Sequence, residues 1–285
     1  MVSLFVNHLT TLDFSYLCSE RGLVGETWIV DAVLSGELNE QGMVFDFGHV
    51  KKQAKAALDK LHDHRLVVPS THPAIKYHAS LNQLTVNMTS EKAGNIQCKA
   101  PAQAILLVNA PAITIESVTP ILEQALMAEL PSNVSAVQLT LYPETIDTPF
   151  YHYSHGLKKH LGDCQRIAHG HRSRLIIEID GVRSHSLEAD WVMRWKDIYL
   201  ATREDLLTTH SYKNQDYHTF GYTSDQGYFE LTLPVESCYL LDTDTTVELI
   251  ADHIAGQLAK HCKKPIKVTA YEGFNKGAIS QRGVR

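Results

Sequence analysis

The sequence predicts an α+β protein built from two similar modules in tandem. Two glycine-bounded segments, 25–36 and 170–181, share length and spacing, and each reads as a strand with alternating faces that closes on a turn glycine. A similar series of helices and strands follows each segment. A chain of 285 residues, 44% of them apolar, is long enough for two modules with real cores. Elements that recur in one order indicate a duplicated fold.

A first helix follows the repeated strand in each copy. Shortly after the strand, an acid precedes an aromatic residue, as Asp46-Phe47 in one copy and Asp190-Trp191 in the other. The stretches 49–64 and 192–207 then carry apolar or small residues at helical spacing. We therefore expect one amphipathic helix at each of these places.

A second helix and a closing strand complete each copy. The segments 114–130 and 246–261 both open on Thr-x-Glu, which is typical of a helix N-terminus. Each is followed by a strand that ends in a glutamate, Glu144 or Glu272, and further strand-like runs such as 228–235 lie between the two helices. The copies thus share the order strand, strand, helix, helix, strand.

The boundary between the copies is predicted at IDTP, residues 146–149, which interrupts the pattern. We place the first module at 1–147 and the second at 148–285. Two unrelated α+β domains of similar composition are the alternative, and the repeated order of several features argues against them.

Composition excludes several function classes. The net charge is −6 and no run of Lys and Arg occurs, which argues against a nucleic-acid partner. No apolar run approaches the ~20 residues of a membrane span, and the N-terminus lacks the basic region of a signal peptide. Five dispersed cysteines without a CxxC pair are typical of a reduced protein, so we expect a cytoplasmic one.

Three histidines of the second copy form a candidate metal site. His169 and His171 enter a strand two residues apart, so their imidazoles project from one face. His155 ends the preceding strand, and antiparallel pairing would bring it beside them. Three histidines with an open fourth position are typical of catalytic zinc. The alternative is a solvent-facing pair, since unrelated histidines such as His152 also fall nearby.

A thiol lies next to these histidines in the sequence. Cys164 precedes His169 by five residues, and a thiolate near a metal or an imidazolium has a lowered pKa and can act as base or nucleophile. A small buried apolar residue is the alternative. Cys18, before the repeated strand of the first copy, is a second candidate, but it lacks neighbouring metal ligands.

Together these residues resemble the 6-pyruvoyl-tetrahydropterin synthase and 6-carboxy-tetrahydropterin synthase family. The resemblance rests on SGELNEQGMVFDFGHVKKQAKAALDKLHDHRL, CQRIAHGHRSRLIIEIDG and YEGFNKGAIS, and it covers both copies. It implies two tandem tunnelling-fold (T-fold) modules. Each would be a four-stranded antiparallel sheet with two helices on one face.

The resemblance also assigns roles to individual residues. It implies that Zn²⁺ is bound by His155, His169 and His171, that Cys164 is the catalytic thiol, that Glu272 holds the pterin ring, and that Asp63 and His64 form a catalytic pair. From the residues alone, the Asp63-His64 pair also fits a polar helix C-terminus, where a histidine suits the helix dipole.

Each copy lacks what the other keeps. The first copy reads Val24-Gly25-Glu26 where the second has the zinc histidines, and Ser15 is the expected match of His155. The second copy lacks the Asp-His pair and offers only His210 in the segment that we align with it. The family's active site lies between subunits, so we expect one composite site per chain. It would form within one chain or between chains of a homo-oligomer.

The function implied by the resemblance is that of a carbon–oxygen lyase. The family substrate is 7,8-dihydroneopterin triphosphate, and we favour 6-carboxy-5,6,7,8-tetrahydropterin, a queuosine-pathway intermediate, as the product. A 6-pyruvoyl product and a non-catalytic protein that binds a pterin or purine remain alternatives. A zinc hydrolase is disfavoured, because no acidic base accompanies the histidine pair.

Overall fold

The computed structural model describes residues 2–40, 42–44 and 47–283. Within these ranges the chain forms four α-helices and three sheets. Asp46 of the predicted acid–aromatic pair lies outside the described residues. None of the helices in the described part of the chain is long and apolar enough to cross a membrane.

The first module consists of a long hairpin, a helix, a meander, a second helix and a closing strand. Its elements are β1 (Val2–Cys18), β2 (Gly22–Gly36), α1 (Phe47–His62), β3 (Leu66–Pro69), β4 (Ile75–Ser80), β5 (Gln83–Ser90), β6 (Gly94–Pro101), β7 (Ile105–Val108), α2 (Ile115–Glu129) and β8 (Val134–Pro143). One sheet has the order β7-β3-β1-β2-β8, and both helices pack into the same apolar core against it.

The second module repeats this order. Its elements are β9 (Phe150–His155), β10 (His169–Ile179), β11 (Val182–Arg183), α3 (His185–Arg194), β12 (Ile198–Thr202), β13 (Leu206–Tyr212), β14 (Gln215–Ser224), β15 (Gly227–Pro234), β16 (Cys238–Leu241), α4 (Val247–Ala259), β17 (Ile266–Tyr271) and β18 (Gly277–Arg282). The sheet order is β16-β12-β9-β10-β17-β18, with β11 attached to β10.

A third sheet joins the two modules. The meander of each module lies between its two helices, and the two meanders pair through β15 and β6 in the order β13-β14-β15-β6-β5-β4. Leu231 lies opposite Cys98 at this junction, and both are buried in a core to which both modules contribute. This shared sheet fixes one module relative to the other.

The predicted four-stranded antiparallel sheets are wrong in their detail. The first sheet holds five strands, and the short strands β3 and β7 join it in parallel. Both strands follow connections long enough to return the chain in the same direction, which a parallel neighbour requires. The two helices do lie on one face of the sheet, as predicted, since one core contains buried residues of α1, α2 and the long hairpin.

The second helices are confirmed, but the first helix of the second copy is not. Thr114 caps α2 and Thr246 caps α4, one residue before the helix in each case. The predicted helix 192–207 is wrong, because α3 ends at Arg194 and Ile198–Thr202 is a fully buried strand between β9 and β16. A strand buried on both faces is apolar throughout, so its sequence period does not distinguish it from a helix.

Candidate active site

The two long hairpins cross at a pair of glycines. A Cβ atom on Gly170 would lie 2.6 Å from the Cα atom of Gly25, so only glycine permits this approach. Beside it, the hydroxyls of Ser15 and Ser154 are 2.7 Å apart. In both hairpins the serine lies opposite the glycine, so the hairpins cross at equivalent positions. The crossing brings the backbones of the two hairpins into direct contact.

The strand register corrects one prediction. Because Ser15 matches Ser154, the counterpart of His155 is Tyr16 and not Ser15. Tyr16 lies opposite Val24, as His155 lies opposite His169. The first copy therefore lacks all three histidines at the corresponding positions.

The three predicted histidines lie together on adjacent strands. His155 on β9 and His169 on β10 are direct cross-strand neighbours, and His171 follows two residues later on the same face. All three side chains are fully buried. One ligand atom from each lies within 4.8 Å of the others, and the Nε2 atoms of His155 and His171 are 3.2 Å apart.

Backbone oxygens set the tautomer of two of these rings. The Nδ1 atom of His155 is 2.9 Å from the carbonyl oxygen of Thr245, and that of His169 is 2.9 Å from the carbonyl oxygen of Arg166. A carbonyl can only accept, so each Nδ1 carries the proton and each Nε2 keeps a lone pair. Burial is the main cause that holds the pKa of both rings well below its usual value, which keeps them neutral.

This arrangement fits a tetrahedral zinc ion. Zinc–nitrogen bonds of about 2.0–2.1 Å place two ligand nitrogens about 3.3–3.4 Å apart, close to the separation of the Nε2 atoms of His155 and His171. The Nε2 atom of His169 is buried and has no hydrogen-bond partner among the described residues. A buried nitrogen lone pair without a partner is costly, and a metal ion would satisfy it.

The Asp63–His64 pair of the first module reaches the histidines of the second within the same chain. His64 follows α1 in a left-handed conformation, with φ of 55°, and its ring centroid lies 5.0 Å from that of His169. Its Nδ1 atom is 2.6 Å from Asp63 Oδ2. Burial opposes protonation of His64, but hydrogen bonds to Asp63 and Cys164 outweigh it and raise its pKa well above the usual value. The pair can therefore hold a proton beside the histidines.

Cys164 lies on the same side of the cluster. Its Sγ atom and one ligand atom each of His64 and His169 lie within 4.8 Å of one another. A short 3₁₀ turn holds the thiol there, and Arg166 braces that turn through Asp163 at 2.8 Å.

The other candidate thiol, Cys18, is elsewhere. It lines a separate cleft of about 330 Å³ beside Pro69 and Ile113. Of the two cysteines, only Cys164 is brought to the histidines.

Glu272 enters the site from the loop after β17. Its Oε1 atom is 3.8 Å from the Nε2 atom of His171. Gly273, the next residue of this loop, has φ of +68° and donates from its amide to Ser173 Oγ at 3.1 Å. Lys276, which the sequence did not single out, lies 4.0 Å from Glu272 through its ammonium group. Nothing in its local sequence separates this lysine from an ordinary turn residue.

His210 is not the counterpart of the Asp-His pair. Strands β3 and β12 pair with equivalent residues of β1 and β9, which makes Asp197 the match of His64. Both residues have positive φ, 55° and 53°, and Asp197 binds Arg21 at 2.5 Å. His210 lies on the exposed strand β13 and stacks on Tyr217. The prediction failed because it took β12 for part of a helix.

Comparison with known proteins agrees with this architecture. The sequence model of the 6-pyruvoyl tetrahydropterin synthase family matches residues 15–149 and again 144–282. Putative 6-carboxy-5,6,7,8-tetrahydropterin synthases of Pyrococcus horikoshii and Pyrococcus abyssi are 23% and 24% identical over 138 residues, which is 48% of this chain and 78% of each relative.

A catalytic-residue mutant of Plasmodium vivax 6-pyruvoyltetrahydropterin synthase has a TM-score of 0.40 at 16% identity, over 50% of this chain and 90% of that one. The Plasmodium falciparum enzyme has a TM-score of 0.39 at 14% identity, over 49% of this chain and 90% of that one. Because the family's sequence model matches both halves of the chain, this protein belongs to the 6-pyruvoyl tetrahydropterin synthase family and carries the family domain twice.

Proposed function

We propose that this chain is a zinc-dependent carbon–oxygen lyase that converts 7,8-dihydroneopterin triphosphate to 6-carboxy-5,6,7,8-tetrahydropterin on the queuosine pathway. The observation that carries the proposal is that three buried histidines, a thiol and an Asp-paired imidazole converge within one chain. Family membership supports the class of reaction and substrate. The names of the two archaeal relatives favour the carboxy product.

Each module would supply a different set of residues to the active site. Residues 148–285 would supply the zinc ligands His155, His169 and His171 together with Cys164. Residues 1–147 would supply the Asp63–His64 pair. We place such a protein in the cytoplasm, as a homo-oligomer.

Proton transfer would fall to Cys164 and His64, which lie together beside the three histidines. Zinc bound by the three histidines supplies Lewis-acid polarisation of the substrate's side-chain oxygens. Cys164, as the thiolate, would remove a proton from the substrate side chain. His64 would give and take protons next to the thiol, with Asp63 fixing its ring orientation through the 2.6 Å contact.

Glu272 would hold the pterin ring. A carboxylate can accept two hydrogen bonds at once, from the pterin 2-amino group and from the adjacent ring N–H, and this bidentate geometry selects that edge. The side chain is 23% exposed, so a ligand can reach it. The ammonium group of Lys276 lies 4.0 Å from its second oxygen.

Product analysis tests the proposal. Zinc-loaded protein incubated with 7,8-dihydroneopterin triphosphate should release triphosphate and acetaldehyde and form the 6-carboxy product, identified by mass spectrometry. A 6-pyruvoyl product without acetaldehyde would move the assignment to the other branch of the family. Binding of the pterin without turnover would make the chain a non-catalytic pterin-binding protein. His169→Ala should abolish turnover, whereas His210→Ala, on an exposed strand, should leave it unchanged.

A further inference from the structure

Asp13, a buried carboxylate of the first module, lies against the second module's histidines. It belongs to β1, and only 2% of it is exposed. Its Oδ1 atom is 3.2 Å from the Nδ1 atom of His171, on the ring edge opposite the Nε2 atom that faces His155. The contact crosses from the module without metal-site histidines to the module with them.

His171 needs this contact because its Nδ1 atom has no other partner. The backbone carbonyls that orient His155 and His169 have no equivalent at His171, and no described residue forms a well-aligned hydrogen bond with its Nδ1. The Asp13 contact is close, at 3.2 Å, but it does not have the alignment of a hydrogen bond. A histidine that binds a metal through Nε2 carries its proton on Nδ1 and donates it to such an acceptor.

Asp13 also connects to the other parts of the site. Its backbone amide donates to Asp63 Oδ1 at 2.7 Å, and its carbonyl accepts from the amide of His64 at 2.6 Å. Its Oδ2 atom is 3.0 Å from the ammonium group of Lys276, in the loop that begins at Glu272. A Cβ atom on the loop's Gly273 would come within 2.4 Å of Oδ1. One residue thus links the metal ligands, the Asp-His pair and the Glu272 loop.

The other side of the hairpin crossing carries the same pair with its groups exchanged. In the strand register His152 is the counterpart of Asp13, and Glu26 is the counterpart of His171. His152 Nδ1 lies 3.9 Å from Glu26 Oε2 and donates instead to the carbonyl oxygen of Gly25 at 2.7 Å. Of the two pairs, only Asp13 and His171 place an imidazole at the metal site with a carboxylate at its Nδ1 atom, which is the arrangement that a metal-bound histidine requires. His152 is therefore a matched control for Asp13.

We propose that Asp13 is a positioning residue that orients the metal ligand His171 from the opposite module. It accepts the Nδ1 proton of His171 and so directs the Nε2 lone pair to the ion. The inference rests on the metal site of the proposed function. It makes the first module part of metal binding, in addition to the proton transfer assigned to Asp63 and His64.

Metal affinity measured without turnover tests the proposal. Metal-free wild type, Asp13→Asn and His152→Asn are titrated with Co²⁺, followed by its visible absorption, and then with Zn²⁺ against a chelator of known affinity. Loss of an outer-shell partner weakens metal binding about 10–100-fold, which we expect for Asp13→Asn. His152→Asn should bind as wild type does. The cobalt spectrum of Asp13→Asn should also change, because the ring of His171 loses its fixed orientation.

A second variant tests the proposal even if Asp13→Asn fails to fold. Asp13→Asn leaves the Lys276 ammonium without its buried partner, and the double variant Asp13→Asn, Lys276→Met removes that charge. It should fold and still show the weakened metal binding. Affinity of either folded variant within twofold of wild type, or an equal loss in His152→Asn, would overturn the proposal.

The outcomes separate this inference from the proposed function. If the protein binds metal tightly, and this binding depends on Asp13, but shows no turnover, only the lyase assignment is refuted. If the protein turns over its substrate but its metal affinity does not depend on Asp13, only this inference is refuted. A wild-type chain that binds neither Co²⁺ nor Zn²⁺ would overturn both.

Discussion

Replacing His62 with phenylalanine should stabilise the protein, and more so as the pH falls. His62 ends α1 and is fully buried, and neither ring nitrogen has a hydrogen-bond partner among the described residues. Its ring lies edge-on against Phe14, with centroids 4.3 Å apart, and stacks near Trp28 at 6.1 Å. A phenyl ring suits this aromatic pocket and carries no unpaired polar atoms.

The magnitude follows from the pKa of the ring. Burial, assisted by the charge of Arg65, lowers the pKa of His62 from 6.5 to about 3. Between these values the unfolded chain binds a proton that the folded chain does not, so stability is lost as the pH falls below 6.5. Each pH unit in this window costs about 1.4 kcal/mol, or about 2 kcal/mol at pH 5. Near pH 7.5 this contribution vanishes, and the cost of the unpaired nitrogens, about 1–3 kcal/mol, remains.

Urea unfolding of the metal-free proteins at pH 7.5 and pH 5.0 measures both contributions. The stability difference between His62→Phe and wild type should grow by about 2 kcal/mol at the lower pH. The stability difference between His62→Leu and wild type should grow by the same amount at the lower pH, even if leucine packs less well at this position. His210→Phe, at an exposed position, should show none. A difference that is equal at the two pH values would mean that His62 is not buried in its neutral form.

Three further outcomes follow from the site and the sheets. Elemental analysis should find one zinc per chain, and His169→Ala should empty the site, because two histidines bind zinc far more weakly than three; two equivalents in wild type would contradict the single site. His64→Ala should lower turnover about 10²- to 10⁴-fold with zinc content unchanged. Mixing and reassembling His64→Ala chains with His169→Ala chains should restore nothing, because both groups belong to one site within one chain. Light scattering should show a homo-oligomer, since β8 and β18 end their sheets with no further strand beside them among the described residues, and a strictly monomeric species at micromolar concentration would rule this out.

Local patterns in the sequence predicted that His155, His169 and His171 lie together. His169 and His171 share a strand face because side chains alternate, and His155 lies opposite His169 because neighbouring segments of an antiparallel hairpin pair. The capped helices α2 and α4 were predicted for the same reason, since a Thr-x-Glu start and a helical period are both local. These features depend on a few adjacent residues, so the rest of the fold does not alter them.

Contacts between distant segments could not be predicted in the same way. Asp13 and Lys276 lie at opposite ends of the chain and meet only because the hairpins cross and the loop after β17 folds back. No local pattern marks either residue. The buried strand β12 was mistaken for helix because a strand covered on both faces loses its alternation. Because of that error, the sequence prediction matched His64 with His210 rather than with Asp197.

The hairpin crossing explains why one chain can hold one complete site from two unequal halves. Gly25 and Gly170 bring the hairpins to backbone contact, and residues of the first module, Asp13 and His64, lie beside the histidines of the second. Groups joined in one chain meet at a high effective concentration, and their encounter does not depend on a second molecule. The equivalent positions on the other side of the crossing carry different residues. There Asp197 is bound to Arg21, and Glu26 stands where the second module has His171. The positions equivalent to His155 and His169 hold Tyr16 and Val24, which is why we expect one metal ion and not two.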